Sequence, residues 1–162
     1  MTREEVYSEC LTKLEKSDFL LLELATGMGK SKQAIDIINH LVETKYQGKH
    51  TSMLLLVAKT VHKQTWKDEF KKWGGINVDE LTIECYESLK KHEYESFDFV
   101  VMDECHHLHS DKRLDLFSTL TYGNVIGLSA TIPKKLKQYF QYEYAAEVVT
   151  CSIVDAIEDE VL

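Results

Sequence analysis

The sequence Leu-Ala-Thr-Gly-Met-Gly-Lys-Ser occupies residues 24–31, between an apolar run and a segment with helical apolar spacing. Gly27 and Gly29 have no Cβ, so the backbone there can take positive φ and approach a bound group closely. Lys30 supplies a compact positive charge, and the hydroxyl of Ser31 can ligate Mg²⁺. A helix that starts at this loop would direct unpaired N–H groups at an anion. The stretch therefore predicts a phosphate-binding loop between a buried strand and a helix.

One position departs from the usual form of such a loop. The pattern G-x-x-x-x-G-K-[ST] has a glycine where this chain has Leu24. The stretch alone is therefore also compatible with an ordinary strand-to-helix turn that carries an exposed lysine. A second feature elsewhere in the chain must decide between the two interpretations.

The composition is typical of one globular domain. The chain has 162 residues and a net charge of −8, so a nucleic-acid site would have to be a local patch. No apolar run approaches the roughly 18 residues of a membrane span, and the N-terminus is not a signal peptide. We therefore expect no membrane association and a cytoplasmic location, or a nuclear one in a eukaryote. The widely spaced cysteines favour buried free thiols: Cys10, Cys85, Cys105 and Cys151.

Apolar runs of strand length alternate with segments of helical spacing along the whole chain. This alternation predicts an α/β fold of three layers, a mostly parallel sheet with helices on both faces, in a single domain over 1–162. Ligands of such sheets bind at the carboxyl ends of the strands. Strands are predicted at 19–24, 52–58, 81–86, 97–102, 124–128 and 147–150, and helices at 3–14, from the loop to about 44, and at 61–73, 110–120, 133–142 and 152–161.

Two adjacent carboxylates follow the apolar run at 97–102. A Mg-nucleotide hydrolase needs one carboxylate near the metal and another that orients and deprotonates the attacking water. Asp103 suits the first role and Glu104 the second. A solvated Asp-Glu pair at a strand end is the alternative, but the glycine-lysine-serine loop on an earlier strand favours the catalytic interpretation.

Three motifs in order resemble those of superfamily 2 helicases. The sequence DECH at 103–106 resembles motif II in its DExH form, GLSAT at 127–131 matches motif III, and ATGMGKS at 25–31 resembles the motif I of that superfamily, in which the leading glycine is often absent. The segment at 54–60, followed by Gln64 and Trp66, resembles motif Ia, and the segment at 85–89 resembles motif Ib. The segment at 156–159 resembles the exit from the first helicase domain of DNA translocases.

The resemblance implies a first RecA-like domain that binds ATP and Mg²⁺ and acts on nucleic acid, DNA more than RNA. It implies nucleotide contacts from Ala25, Thr26, Gly27, Met28, Gly29, Lys30 and Ser31. It implies Mg²⁺ contacts from Ser31 and Asp103, and catalytic roles for Glu104, Asp103 and Lys30. It also implies that nucleotide state is coupled to strand movement by His106, Ser129 and Thr131, and that the nucleic-acid backbone lies near Lys59 and Thr60.

Members of that superfamily hydrolyse ATP between two RecA-like domains, and the second domain supplies arginines. This chain has two arginines, Arg3 and Arg113, and neither lies in a motif of that kind. We therefore expect that a second RecA-like domain is missing here, and that the chain alone binds Mg-nucleotide weakly and hydrolyses it slowly. An arginine of this type contributes about 10³ to 10⁵ in turnover in related systems.

Several alternatives stay open at this point. Cys105, His106, His107 and His109 are zinc-ligand types, but consecutive side chains that leave a strand diverge, so we expect no zinc. The domain could be a binding module for nucleotide or nucleic acid without turnover, and a small-molecule kinase would explain the loop but not the other motifs. Two lysine clusters are either nucleic-acid patches or solvated helix faces: Lys59, Lys63, Lys67, Lys71 and Lys72, and Lys134, Lys135 and Lys137.

Overall fold

The computed structural model describes residues 1–75 and 78–152, without the side chains of residues 78–80. The described chain forms a six-stranded sheet in the order β3-β2-β4-β5-β1-β6, and all of the strand pairs are parallel. The strands are β1 Phe19–Leu24, β2 Thr51–Val57, β3 Val78–Cys85, β4 Ser96–Met102, β5 Thr121–Ser129 and β6 Glu147–Cys151. The predicted mostly parallel sheet is confirmed.

Helices cover both faces of the sheet. They are α1 Arg3–Leu14, α2 Lys30–Thr44, α3 Val61–Trp73, α4 Asp111–Ser118 and α5 Lys134–Tyr144. Pro133 is the N-cap of α5, as expected for a residue without an N–H that cannot sit inside a helix. The helix predicted at 152–161, apart from its first residue, and the motif resemblance at 156–159 lie outside the described residues.

The sheet separates two apolar clusters, which explains why its central strands are apolar on both faces. One cluster joins α1, α2 and α3 to the sheet and includes Val6, Ile38 and Trp66. The other joins α4, α5 and the segment after β3, and it includes Phe117 and Phe140. The three predicted layers are therefore present.

Two local features were not predicted. Residues Tyr86–His92 and Cys105–His107 form 3₁₀ helices directly after β3 and β4. The apolar face of α3 is only partly covered, because Trp66 is buried while Trp73 is 37% exposed. Within the described part of the chain, no helix has the length and apolar character that crossing a membrane would require.

The sheet order brings three connections together at one edge. β5 lies between β1 and β4, so the loop after β1 and the turn after β4 both border the segment that follows β5. Because the strands are parallel, their carboxyl ends share this edge. The fold thus brings 25–29, 103–107 and 129–132 to one place although they are far apart in sequence.

All four cysteines are buried free thiols, as the sequence predicts. Burial raises the pKa of Cys10 and of Cys105 to about 12. Only the thiolate attacks an alkylating agent, so at pH 8 we expect both to react with iodoacetamide about 10³-fold slower than an ordinary cysteine of pKa about 8.5. Timed labelling followed by peptide mapping measures both rates. In urea both sites should react at the ordinary rate, and equally fast labelling of the folded chain would contradict the burial.

Candidate functional site

The loop at 25–29 has the backbone of an anion-binding turn. Gly27 has φ 93° and Gly29 has φ 71°, a region that side chains with a Cβ rarely adopt. Gly29 is the N-cap of α2. Among the described residues, no oxygen accepts a hydrogen bond from the N–H groups of Gly27, Gly29, Lys30 or Ser31. These donors are the orphan groups of a helix start, and they are available to phosphate oxygens.

Two of the predicted nucleotide-binding residues support the loop from below. Ala25 and Met28 are buried, and their N–H groups donate to Cys151 O at 3.0 Å and to Ala25 O at 3.1 Å. Their N–H groups are therefore already engaged. Thr26 is exposed on the loop.

Helix α1 holds the outer side of the same loop. Arg3 Nη2 donates to Gly27 O at 3.0 Å, and Gln33 Nε2 donates to Arg3 O at 2.9 Å. Thr2 and Glu5 close a capping box at the start of α1, which fixes the direction in which Arg3 leaves the helix. The contact is specific to this fold, because 24 residues separate Arg3 from Gly27.

The catalytic candidates meet across the sheet edge. Lys30 Nζ lies 3.1 Å from Glu104 Oε1, and Glu104 Oε2 lies 3.6 Å from His106 Nδ1. Glu104 has φ 48° and ψ 56°, a left-handed conformation that costs a residue with a Cβ on the order of 1–3 kcal/mol. That conformation aims the carboxylate at Lys30, so the phosphate loop and the carboxylate pair form one site.

Asp103 is held at three points. Its N–H donates to Leu56 O at 2.8 Å, its carbonyl accepts from the Tyr86 hydroxyl at 2.7 Å, and its Oδ2 accepts from Trp66 Nε1 at 2.9 Å. Desolvation by burial raises the pKa of Asp103, opposed by the hydrogen bond from Trp66 and by Lys30. The neighbouring positive charge and hydrogen bond therefore do not fully offset the burial of the carboxylate.

The residues at this edge fit a magnesium ion by their chemistry. Mg²⁺ prefers carboxylate and hydroxyl oxygens, and it usually binds one or two carboxylates together with nucleotide phosphates. Asp103 offers a partly buried carboxylate whose pKa indicates uncompensated burial. Ser31, in the first turn of α2, offers a hydroxyl. The residues therefore fit Mg²⁺ in the types of oxygen that they offer.

The end of β5 is tied to the same site. His106 Nδ1 lies 3.0 Å from Ser129 Oγ, and the Ser129 hydroxyl also bonds the Thr131 carbonyl at 2.9 Å. Glu23 accepts from the Ile132 N–H at 2.6 Å. The predicted coupling residues His106, Ser129 and Thr131 therefore form one hydrogen-bonded chain from the turn after β4 to the segment after β5.

The segment after β4 turns as a 3₁₀ helix over Cys105–His107, and the rings of His106 and His107 lie 4.6 Å apart. Within residues 1–75 and 78–152, no three His, Cys, Asp or Glu side chains form a group that could hold a metal. His107 stacks on Tyr86 at 6.0 Å, and burial and the neighbouring His106 lower its pKa.

The nucleic-acid candidates are only partly free. Lys59 and Thr60 are exposed between β2 and α3, at the same sheet edge as the phosphate loop. Lys63 lies 3.6 Å from Glu84, and Lys137 lies 3.0 Å from Glu23. These two lysines are therefore paired with carboxylates. They belong neither to a fully solvated helix face nor to a patch of unpaired positive charge.

A groove beside the phosphate loop runs over the outer face of α2, between α1 and α3. It encloses about 550 Å³ and is bordered at one end by Gly29 and Ser31 and farther along by Tyr7 and Trp73. Lys32 Nζ lies 5.1 Å from the centre of the Trp73 ring. The groove has the size of a small-molecule site.

Three residues of the site escaped the sequence reasoning. From the sequence, Trp66 is a helix residue beside the motif Ia resemblance, Arg3 is one of two arginines outside any motif, and Glu23 is a single acid in an apolar run. Glu23 carried a usable signal, because a carboxylate inside the run Phe19–Leu24 must find a partner. Nothing in the sequence indicates the contacts of Trp66 and Arg3, which cross between elements.

Comparisons with known proteins identify the family of the chain. A family model described as "Type III restriction enzyme, res subunit" matches residues 2–134. The chain is 29% identical to protein QP509L of African swine fever virus (isolate Pig/Kenya/KEN-50/1950), which is named as a candidate ATP-dependent RNA helicase, over 68% of this chain and 24% of that protein. It is also 29% identical to the type I restriction enzyme EcoAI endonuclease subunit of Escherichia coli, over 86% of this chain and 20% of that subunit.

A solved structure shows the same fold. The type ISP restriction-modification enzyme LlaGI, as a nuclease-deletion mutant in complex with a DNA substrate mimic, matches 98% of this chain and 20% of that chain with a TM-score of 0.69 and 14% identity. The predicted RecA-like α/β fold is confirmed. The chain spans about a quarter or less of the length of the curated relatives described above.

Proposed function

Since the chain belongs to the family described as type III restriction enzyme, res subunit, a helicase family, we propose that it is the ATP-binding half of a nucleic-acid-dependent ATPase. One observation carries the proposal. Lys30, at the end of the phosphate loop, lies 3.1 Å from Glu104 of the carboxylate pair. A loop that binds phosphates and a base that activates water must meet at the γ-phosphate, and these two residues do meet.

The proposed mechanism assigns one task to each element of the site. The free N–H groups of Gly27, Gly29 and Lys30 bind the β- and γ-phosphates, and the Lys30 ammonium leaves Glu104 to contact phosphate oxygens. Glu104 then accepts a proton from the attacking water. Ser31 and Asp103 would hold Mg²⁺, which when bound neutralises charge on the phosphates. The base and ribose would lie in the groove over α2.

Nucleic acid and a second domain complete the proposal. Lys59 and Thr60 would contact the phosphate backbone at the exposed start of α3. DNA is the proposed substrate because the matched LlaGI structure is a complex with a DNA substrate mimic. Each arginine donates to a main-chain carbonyl, Arg3 to Gly27 and Arg113 to His107. We therefore expect that charge on the transition state is stabilised by arginines of a second RecA-like domain.

A binding module without turnover is the second candidate. It would use the same loop and groove but would have no need for a base. The left-handed backbone of Glu104 favours the ATPase, since a strained carboxylate facing Lys30 serves catalysis and not simple binding. Loss of stimulated turnover in a Glu104 variant separates the two candidates.

Replacing Lys30 tests nucleotide binding directly. Lys30→Ala is expected to weaken binding of a Mg²⁺-bound, non-hydrolysable ATP analogue by about 10- to 100-fold, because a charge-assisted hydrogen bond contributes about 1.5–3 kcal/mol. Isothermal titration calorimetry on the 162-residue chain measures the affinity.

Lys13→Ala is the matched control. Lys13 pairs with Glu147 at 3.5 Å, at the start of β6 and so at the opposite edge of the sheet. This variant should bind the analogue as the unaltered chain does. Equal affinity in Lys30→Ala and Lys13→Ala would overturn the assignment of the loop.

A further inference from the structure

Trp66 is buried on α3, with 3% of its surface exposed, and its ring lies among the apolar residues between α3 and the sheet. An indole ring carries one polar group, a donor that cannot accept or bind a metal. Trp66 directs this N–H to Asp103 Oδ2 at 2.9 Å. Packing explains why the ring is buried, but it does not explain why its only donor meets the carboxylate.

The Asp103 carboxylate depends on this contact for its orientation. The main chain of Asp103 is fixed through Leu56 O and the Tyr86 hydroxyl, so only rotation of the side chain is left. Among the described residues, Trp66 is the one hydrogen-bond donor to the carboxylate oxygens. A ring locked by packing holds a partner more firmly than a flexible side chain does. One oxygen is thereby fixed, and Oδ1 is left for another ligand.

The second tryptophan of the same helix shows what an indole does without such a role. Trp73 is 37% exposed, and its Nε1 donates to Glu69 one turn earlier on the helix surface, at 2.6 Å. The chain has two tryptophans, so each can be studied alone after the other is replaced. Trp73 shows the ordinary arrangement of an indole on the same helix, a donor to a nearby side chain at the surface.

We propose that Trp66 is a positioning residue for magnesium, whose indole N–H holds Oδ2 of Asp103 so that Oδ1 is presented to the metal. The proposal rests on the proposed function, because it concerns the metal that accompanies the nucleotide. It also gives α3 a second task. This helix starts beside the exposed Lys59 and Thr60, and its Trp66 contacts Asp103. The proposed nucleic-acid contact and the proposed metal site are therefore joined by one helix.

The test measures the Mg²⁺ concentration that gives half-maximal binding of a fluorescent, non-hydrolysable ATP analogue to the 162-residue chain. In Trp66→Phe this concentration should rise about 10- to 100-fold, as it does when partners of metal ligands are removed. Binding of the analogue in EDTA should not change. Tyr142→Phe, an aromatic substitution at an 87% exposed position of α5, should behave as the unaltered chain in both conditions.

A second variant separates the hydrogen bond from packing. Replacing Trp66 by 3-benzothienylalanine keeps the shape of the ring and substitutes sulfur for the N–H, so it removes only the donor. This variant should show the same 10- to 100-fold rise as Trp66→Phe. In the Trp73→Phe background, Trp66 is the only indole, and its emission should change on addition of Mg²⁺ with the analogue.

Two results would overturn the proposal in distinguishable ways. If the benzothienylalanine variant binds Mg²⁺ and analogue as the unaltered chain does, the indole N–H has no positioning role, while the proposed function stands. If the unaltered chain shows no Mg²⁺-dependent binding at all, the proposed function fails and the role of Trp66 fails with it.

Discussion

Glu104→Gln is expected to lower nucleic-acid-stimulated ATP turnover by about 10²- to 10⁴-fold, the usual contribution of a general base. The assay contains the chain together with a second RecA-like domain, in cis or in trans, because the chain alone should turn over slowly. The amide has the shape of the carboxylate but cannot take a proton from water. Lys30 and the loop are untouched, so binding of Mg-ATP should persist.

Glu147→Gln controls for the loss of one carboxylate. Glu147 lies at the start of β6 and pairs with Lys13 at 3.5 Å, far from the carboxyl ends of the strands. Turnover in this variant should equal that of the unaltered protein. If Glu104→Gln retains stimulated turnover, Glu104 is not the base. If no combination of second domain and nucleic acid stimulates turnover, the ATPase proposal gives way to the binding module.

Phe140→Ala is expected to reduce the free energy of unfolding by about 3–5 kcal/mol, the typical cost of removing a buried aromatic ring. Phe140 is fully buried, and its ring centre lies 5.0 Å from that of Phe19 and 6.2 Å from that of Phe117. The substitution leaves a cavity where α5 packs on the sheet. Since domains have about 5–15 kcal/mol in total, the variant should be near the limit of stability.

Tyr142 offers the control on the same helix. It is 87% exposed, so Tyr142→Ala should change the free energy of unfolding by no more than about 0.5 kcal/mol. Urea denaturation monitored by circular dichroism compares both variants with the unaltered chain. A loss below about 1 kcal/mol in Phe140→Ala would show that the α5 side of the core is not packed as described.

The sequence was sufficient for the fold because its signals are local. The apolar run Phe19–Leu24 has the length of a buried strand, and the apolar spacing of 30–44 is helical, so both elements were predicted with nearly their observed bounds. The 3₁₀ helix Tyr86–His92 was not predicted, because a short turn of this kind has no apolar period. The predicted and observed bounds of the strands differ by up to three residues, because the residues at strand ends show no regular apolar pattern.

The candidate site was predictable in its residue types but not in its contacts. Phosphate chemistry requires small residues, a lysine and carboxylates, so the loop and the pair at 103–104 could be found from the sequence. The meeting of Lys30 with Glu104 follows only from the sheet order. The contact of Trp66 with Asp103 could not be predicted, because a tryptophan that only packs and a tryptophan that also donates to a carboxylate are the same letter in a sequence.

The loop at 25–31 and the carboxylates at 103–104 are proposed to form one Mg-nucleotide site. The decisive experiment is a crystal structure of the chain with Mg²⁺ and a non-hydrolysable ATP analogue. We expect phosphate oxygens on the N–H groups of Gly27, Gly29 and Lys30, Mg²⁺ beside Ser31 and Asp103, and Lys30 Nζ moved from Glu104 onto phosphate. An analogue bound elsewhere, with the 3.1 Å contact between Lys30 and Glu104 unchanged, would contradict it.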